Sequence, residues 1–176
     1  MRDPIDSVEV FCAHALAMEC EAALRYTELA ESMEMQSNIV LAELFRSMAA
    51  EETAHAKIVA RQAAGLRLPV LFAHEYRWQG FDSPEAAPHV SVHRRMQKAH
   101  GLRIALANEQ RAAAYFEWVA ERAMHPAVRN LAMEFAAEEQ EHVGRMLEAL
   151  SREIRASRDT IQDLGAIASR ALRRSA

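Results

Sequence analysis

Ala49-Ala50-Glu51-Glu52-Thr53-Ala54-His55 returns almost unchanged as Ala136-Ala137-Glu138-Glu139-Gln140-Glu141-His142. Each copy carries a Glu-x-x-His element, Glu52/His55 in the first and Glu139/His142 in the second. Residues three apart on a helix lie one above the other on the same face. Each pair can therefore offer a carboxylate oxygen and an imidazole nitrogen to one cation. Of the eight histidines, only these two have a glutamate three positions before them. Two such pairs in a helical chain form the pattern of a dinuclear metal site inside a four-helix bundle.

The rest of the composition agrees with an all-α chain. Gly and Pro number five each among 176 residues, while Ala, Leu, Glu, Arg and Met dominate. This length suits a single domain, 1–176, with a sizeable core. The net charge of −4 argues against nucleic-acid binding. No apolar run reaches about 18 residues, so no membrane span is expected. Arg2 and Asp3 lead straight into an amphipathic segment, which is unlike a secretory signal. Cys12 and Cys20 are eight residues apart on one expected helix, roughly 12 Å along its axis, too far for a disulfide. Both read as small core residues in a reducing cytoplasm, and no Cys-x-x-Cys pair exists.

The pattern predicts five helices. The first spans about 6–35, with Asp6-Ser7-Val8-Glu9 as a capping box, and the second about 37–65, closing a helical hairpin over 1–65. Residues 66–89 form a long crossover with Pro69, Gly80, Pro84 and Pro88 and the aromatics Phe72, Tyr76, Trp78 and Phe81. A short helix is expected after Asp82-Ser83-Pro84. A second hairpin occupies 90–155, its helices divided at His125-Pro126, and a C-terminal helix occupies 156–176. Short loop, long crossover, short loop is the connectivity of a ferritin-like antiparallel bundle.

The two hairpins also match each other. With Glu19 set against Glu109, Leu16/Leu106, Ala17/Ala107, Ala22/Ala112, Ala23/Ala113, Ala30/Ala120 and Glu31/Glu121 coincide. This repeat nominates Glu19 and Glu109 as two further carboxylates. Their helix-face neighbours are small or apolar, Leu16, Ala22 and Tyr26 around one and Leu106, Ala112 and Phe116 around the other. Four buried carboxylates and two imidazoles need compensation, and two divalent cations neutralise four negative charges. In this reading Glu52 and Glu139 bridge the ions, His55 and His142 cap one each, and Glu19 and Glu109 are terminal ligands. Mixed carboxylate and imidazole ligation suits two Fe ions, with Mn or Zn as alternatives, and open positions permit oxygen or peroxide chemistry. A chance coincidence on solvated faces could explain one Glu-x-x-His. It does not explain a duplicated string with two more carboxylates in register. The His-Glu-x-x-His of zinc proteases is absent from the chain.

On Glu19, Glu52-x-x-His55, Glu109 and Glu139-x-x-His142, residues 7–150 resemble the rubrerythrin branch of the ferritin-like superfamily. Tyr26, seven after Glu19, matches a family tyrosine that hydrogen-bonds near the metals, and the resemblance makes it the candidate catalytic side chain. What the resemblance implies is a di-iron oxidoreductase, commonly a homodimer, oxidising Fe(II) with hydrogen peroxide or dioxygen. The alternative is a non-catalytic iron-binding protein for storage, delivery or sensing. Rubrerythrin itself has a four-cysteine rubredoxin domain; this chain has only two cysteines, so a separate electron donor is expected. Rubrerythrin's additional glutamate beyond its third-helix ligand corresponds to Ala112 here, and to Ala22 in the other half. The same six ligands occur in bacterioferritin, whose haem-binding methionine corresponds to Thr53.

The remaining features carry less chemistry. His14 stands before Glu19 as a polar packing residue or a partner of the site. His74, His89, His93 and His100 lack regular spacing. Tyr115, Phe116 and Trp118 read as core or interface, and the nine methionines as adaptable filler. Ile154, Ile161, Leu164, Ile167 and Leu172 form a loose stripe suited to docking, and Arg170, Arg173 and Arg174 suit a helix C-terminus.

Overall fold

The computed structural model describes residues 4–80, 82–85 and 94–174, with side chains described to residue 158. Among these residues it contains four α-helices: α1 (Val8–Met35), α2 (Ile39–Gln62), α3 (Lys98–Arg122) and α4 (Pro126–Arg174). The chain is an antiparallel four-helix bundle with a long crossover between α2 and α3. Helix α1 pairs with α2 and α3 with α4, so each hairpin forms one half.

The turns explain where the helices stop. The α1 C-terminus is a Schellman motif, with Asn38 N donating to Met33 O (2.8 Å) and Ser37 N to Glu34 O (2.9 Å). Ser37 takes the left-handed conformation at φ 59°. Asn38 then caps α2 by accepting from Leu41 N (3.3 Å), and its amide donates to Met96 O (2.9 Å) at the end of the crossover. Helix α2 ends before Gly65, whose φ of 88° suits only glycine without strain. Pro126 stands at the first position of α4, where its missing N–H costs nothing.

Several boundaries differ from the expectation. The cap of α1 is Ser7, not Asp6: its hydroxyl accepts from Val10 N (3.3 Å) and donates to Glu9 Oε2 (2.6 Å). Asp6 serves the α3–α4 turn instead, where its Oδ1 accepts from Met124 N (2.5 Å) and His125 N (3.1 Å). The turn between α3 and α4 leaves those donors without helical partners, and an acidic side chain satisfies both. Helix α3 starts at Lys98 rather than near Val90; Arg94 and Arg95 form a turn, and 90–93 lie outside the described residues. A turn follows Ser83 at Pro84–Glu85, and the remainder of the short helix expected there also lies outside them. The separate C-terminal helix does not exist as such. Helix α4 runs unbroken for 49 residues, roughly 73 Å, because no glycine, proline or cap interrupts its backbone near Arg155 strongly enough to end it. The stripe beyond Ile154 and the terminal arginines have side chains outside the described set.

Two apolar clusters divide the core lengthwise. One is built from Phe11, Met18, Phe116, Val128 and Phe135, with Trp78 from the crossover. The other contains Met33, Leu41, Phe45, Leu102 and Met146. Helix residues 19, 52, 109 and 139 lie between them, so the bundle places a polar layer across its middle. Cys12 is buried in the first cluster, but Cys20 is exposed, against expectation, because it faces away from the core on α1.

The crossover is fastened along α1 and α3. His14 is fully buried; its Nδ1 donates to Val10 O (2.8 Å) and its Nε2 accepts from Arg77 N (2.9 Å). Those two bonds fix a neutral imidazole. Burial lowers its pKa, as a ring that must accept at Nε2 requires. Tyr76 and Trp78 meet the same ring edge-on at 5.3 and 5.2 Å, and Trp78 also meets Tyr115 at 5.2 Å. His14 is thus the peg on which the crossover hangs. His74 stacks on Phe72, and His100 accepts from Gln97 N at the start of α3 (3.3 Å). Neither joins a metal-holding cluster among the described residues, and His89 and His93 lie outside them.

Among the described residues, no helix is long and apolar enough to cross a membrane. Replacing Ser37 by glycine should relieve the left-handed strain and raise stability by roughly 0.5–1 kcal/mol, allowing for the freer unfolded chain. Chemical denaturation of the variant beside the parent protein measures this directly.

Candidate metal centre

Each helical hairpin delivers three of the six candidate ligands. Glu19 on α1 meets Glu52 and His55 on α2, and Glu109 on α3 meets Glu139 and His142 on α4. Within each trio the ligating atoms lie within 4.8 Å of one another. His55 Nδ1 is 3.3 Å from Glu52 Oε2 and 3.6 Å from Glu19 Oε2. His142 Nδ1 is 3.3 Å from both Glu109 Oε2 and Glu139 Oε2. The two imidazoles stack on each other with centroids 4.3 Å apart. The arrangement is a pseudo-twofold pair of triads, as the internal repeat demands.

All four glutamates are buried, each with at most 3 % of its surface exposed. The apolar neighbours foreseen for Glu19 and Glu109 account for this, since Ala22, Tyr26, Ala112 and Phe116 are buried beside them. The histidines are partly exposed, at 21 % for His55 and 12 % for His142. They line a pocket of about 140 Å³ between α2 and α4, together with Glu19, Ile58, Phe135 and Glu138. Small molecules can reach the layer there.

The hydrogen-bonding within the layer is incomplete. Among the described residues, Glu19 Oε2 and Glu139 Oε2 are buried without a hydrogen-bond partner; the His142 contact to Glu139 is close but poorly directed. Leaving one such buried atom unpaired costs about 1–3 kcal/mol, more when it is charged. Burial pushes the Glu19 carboxyl up to about 8, with the charges of Glu139 and Glu52 adding to the rise. Burial also raises Glu139, with the Glu109 charge contributing. Burial works to lower both histidines, but the adjoining carboxylates overcome it. Glu19 and Glu52 hold His55 up to about 10, and Glu109 and Glu139 hold His142 up to about 9. A metal-free layer therefore retains protons at neutral pH.

Two cations fit these donors. Each imidazole presents Nδ1 beside two carboxylates, and the unpartnered oxygens supply what a hard or borderline cation needs. Four carboxylates balance two divalent charges.

Tyr26 is buried on α1, and its hydroxyl accepts from Asn108 Nδ2 (2.8 Å). Burial, and then the Glu109 charge, hold its pKa well above the ordinary phenol value, so it keeps its proton. Asn108 in turn accepts from Arg111, whose Nε donates to Pro84 O (2.7 Å). This links the tyrosine to the crossover.

That link leads to a residue the sequence reading passed over. Glu85 is only 2 % exposed, and neither of its carboxylate oxygens has a hydrogen-bond partner among the described residues. It forms a third cluster with Glu19 and Glu139. Burial raises its pKa well above the usual carboxylate range, and the charges of Glu19, Glu52, Glu139 and Glu109 act in the same direction. Following Ser83-Pro84, it reads locally as a solvated acid in a helical first turn. Irregular chain has no period, so no local signal announces its burial.

A family model described as Rubrerythrin matches residues 11–92, a span that includes Glu19, Glu52 and His55. Among solved structures, an uncharacterised conserved protein from Magnetospirillum magnetotacticum MS-1 is 37% identical to this chain. The match has a TM-score of 0.63 and covers 84% of this chain and 95% of that one. Comparison with curated proteins returned no match.

The protonated layer leads to two expectations. Glu19 has a raised folded pKa, so its stabilising proton is fully held below 4.5 and the benefit is gone above about 8. The histidines act alike: their contribution is full below 6.5 and is lost as pH rises through about 9 and 10. Metal-free protein should therefore lose thermal stability between about pH 7 and pH 10, where the opposite effect of His14 is already exhausted. Melting curves across that range check it. Binding of a divalent cation should release protons and tighten with pH, which calorimetry in buffers of different ionisation enthalpy can count.

Proposed function

The chain belongs to the rubrerythrin family, and from that premise we propose that it is a di-iron oxidoreductase that oxidises Fe(II) with hydrogen peroxide or dioxygen. The observation that carries this reading is the pair of symmetric, buried triads with carboxylate oxygens left unpartnered. Glu19, Glu52 and His55 would hold one ion and Glu109, Glu139 and His142 the other, with Glu52 and Glu139 shared between them. A ferrous pair would supply two electrons, enough to take hydrogen peroxide and two protons to two waters.

The protein's own part is positioning, exclusion of water and proton supply. The two apolar clusters keep the layer dry from both ends. The opening beside His55 and His142 is small enough for peroxide or dioxygen and admits nothing of macromolecular size. Tyr26 keeps its proton, so it acts as a hydrogen-bonding neighbour, held by Asn108 Nδ2. Reducing equivalents would come from a separate donor. A homodimer belongs to the same proposal.

Anaerobic titration of apo-protein with ferrous iron tests the reading, followed by rapid mixing with peroxide or dioxygen. Saturation at two irons per chain and fast appearance of ferric absorbance are expected. Slow oxidation at the same stoichiometry would transfer the assignment to delivery or sensing. Uptake far above two per chain, in a large assembly, would indicate storage. Glu52→Ala and Glu139→Ala each remove a shared ligand and should abolish binding of the second ion. A variant that still saturates at two irons overturns the bridging roles.

A further inference from the structure

The pseudo-twofold frame accounts for six ligands and leaves one buried acid over. Glu85 comes from the crossover, a segment that has no counterpart in the other half of the chain. Its carboxylate lies with one member of each triad, Glu19 from the first and Glu139 from the second. Its oxygens have no hydrogen-bond partner among the described residues, and its surface is almost wholly covered. A glutamate that had merely been trapped in a core would be expected to find a donor, and the neighbours it has found are acids. Only a cation, or a proton in its place, reconciles three carboxyl groups at that spacing.

Its placement is not incidental to a loose loop. Arg111 Nε holds the carbonyl of the preceding residue, Pro84, at 2.7 Å. The same guanidinium donates to Asn108, which bonds to Tyr26. Upstream, Arg77 N is held by His14, and Arg77 also donates to Pro4 O. The crossover is thus tied at both Arg77 and Pro84 to the helices that bear Glu19 and Glu109.

We propose that Glu85 is a seventh protein ligand of the dinuclear centre, supplied by the crossover to the ion held by Glu19, Glu139 and His55. The proposal rests on the metal-centre reading above. It has two consequences. The ions become inequivalent, because only the one beside Glu19 gains the extra carboxylate. Metal loading also fastens the crossover to the bundle.

The test uses cobalt(II), whose visible spectrum reports ligand number, on the full chain. Wild type should bind two cobalt ions in two resolved phases, and loading should slow tryptic cleavage at Arg67 and Arg77 in the crossover. Glu85→Gln keeps the size of the side chain and removes the anionic ligand. In this variant one of the two ions should bind roughly ten-fold or more weakly, with an altered spectrum. Its metal-dependent protection of the crossover should disappear, while its metal-free melting temperature stays near that of wild type. Ser83→Ala, a change in the same buried turn away from the cluster, should behave as wild type in all three readouts. Glu85→Gln with unchanged affinities, spectrum and protection would overturn the ligand assignment while leaving the six-ligand centre standing. Wild type that takes up no cobalt would overturn both, and the two failures are thereby told apart.

Discussion

Burying four glutamates, with two partly exposed histidines beside them, across the middle of a helical bundle is the constraint to which the rest of the structure answers. Each buried carboxylate brings a desolvation penalty of several kcal/mol, and no helix needs one in its core for stability. The surrounding structure contains the penalty rather than relieving it. Phe11, Phe116 and Phe135 pack on one side of the layer, Phe45, Leu41 and Met33 on the other, and small alanines beside the carboxylates let the helices draw together. Protons raise Glu19 and Glu139 toward neutrality when no cation is there. The chemistry of the layer therefore suits occupancy by cations, with protons in their place when none is bound.

Symmetry organises the same layer. Two hairpins with the same ligand spacing meet so that Glu19, Glu52 and His55 face Glu109, Glu139 and His142, and the imidazoles stack at their junction. A symmetric site would treat its two ions alike. The crossover breaks that equivalence because a single connection cannot be repeated around a twofold axis. Its aromatic cluster, anchored on the neutral ring of His14, brings Pro84 to Arg111 and Glu85 to the layer. A segment that seems a mere connection in the sequence thus reaches the centre that its neighbours define.

Most of the bundle could be read from local rules. Period, caps and the duplicated string were enough for α1, α2 and the antiparallel pairing, and for the six residues now brought into two triads. Errors arose where distant groups decided the outcome. Asp6 looked like the cap of its own helix, but two amides at the α3–α4 turn claim it. Cys20 looked like core because Cys12 does, yet eight residues later the helix has turned it to solvent. The break expected near Arg155 has no glycine or proline to enforce it, and α4 continues through it.

The sequence alone determined the helical class, the two hairpins and the identity of the six candidate ligands, because helix periodicity is a local property and a repeat makes it visible twice. Only the tertiary structure decided that His14 holds the crossover, that Tyr26 answers to Asn108, and that Glu85 lies against Glu19 and Glu139. These depend on where an aperiodic segment comes to rest on helices distant in the chain. Burial there is set by packing between segments, and no spacing along the chain encodes it.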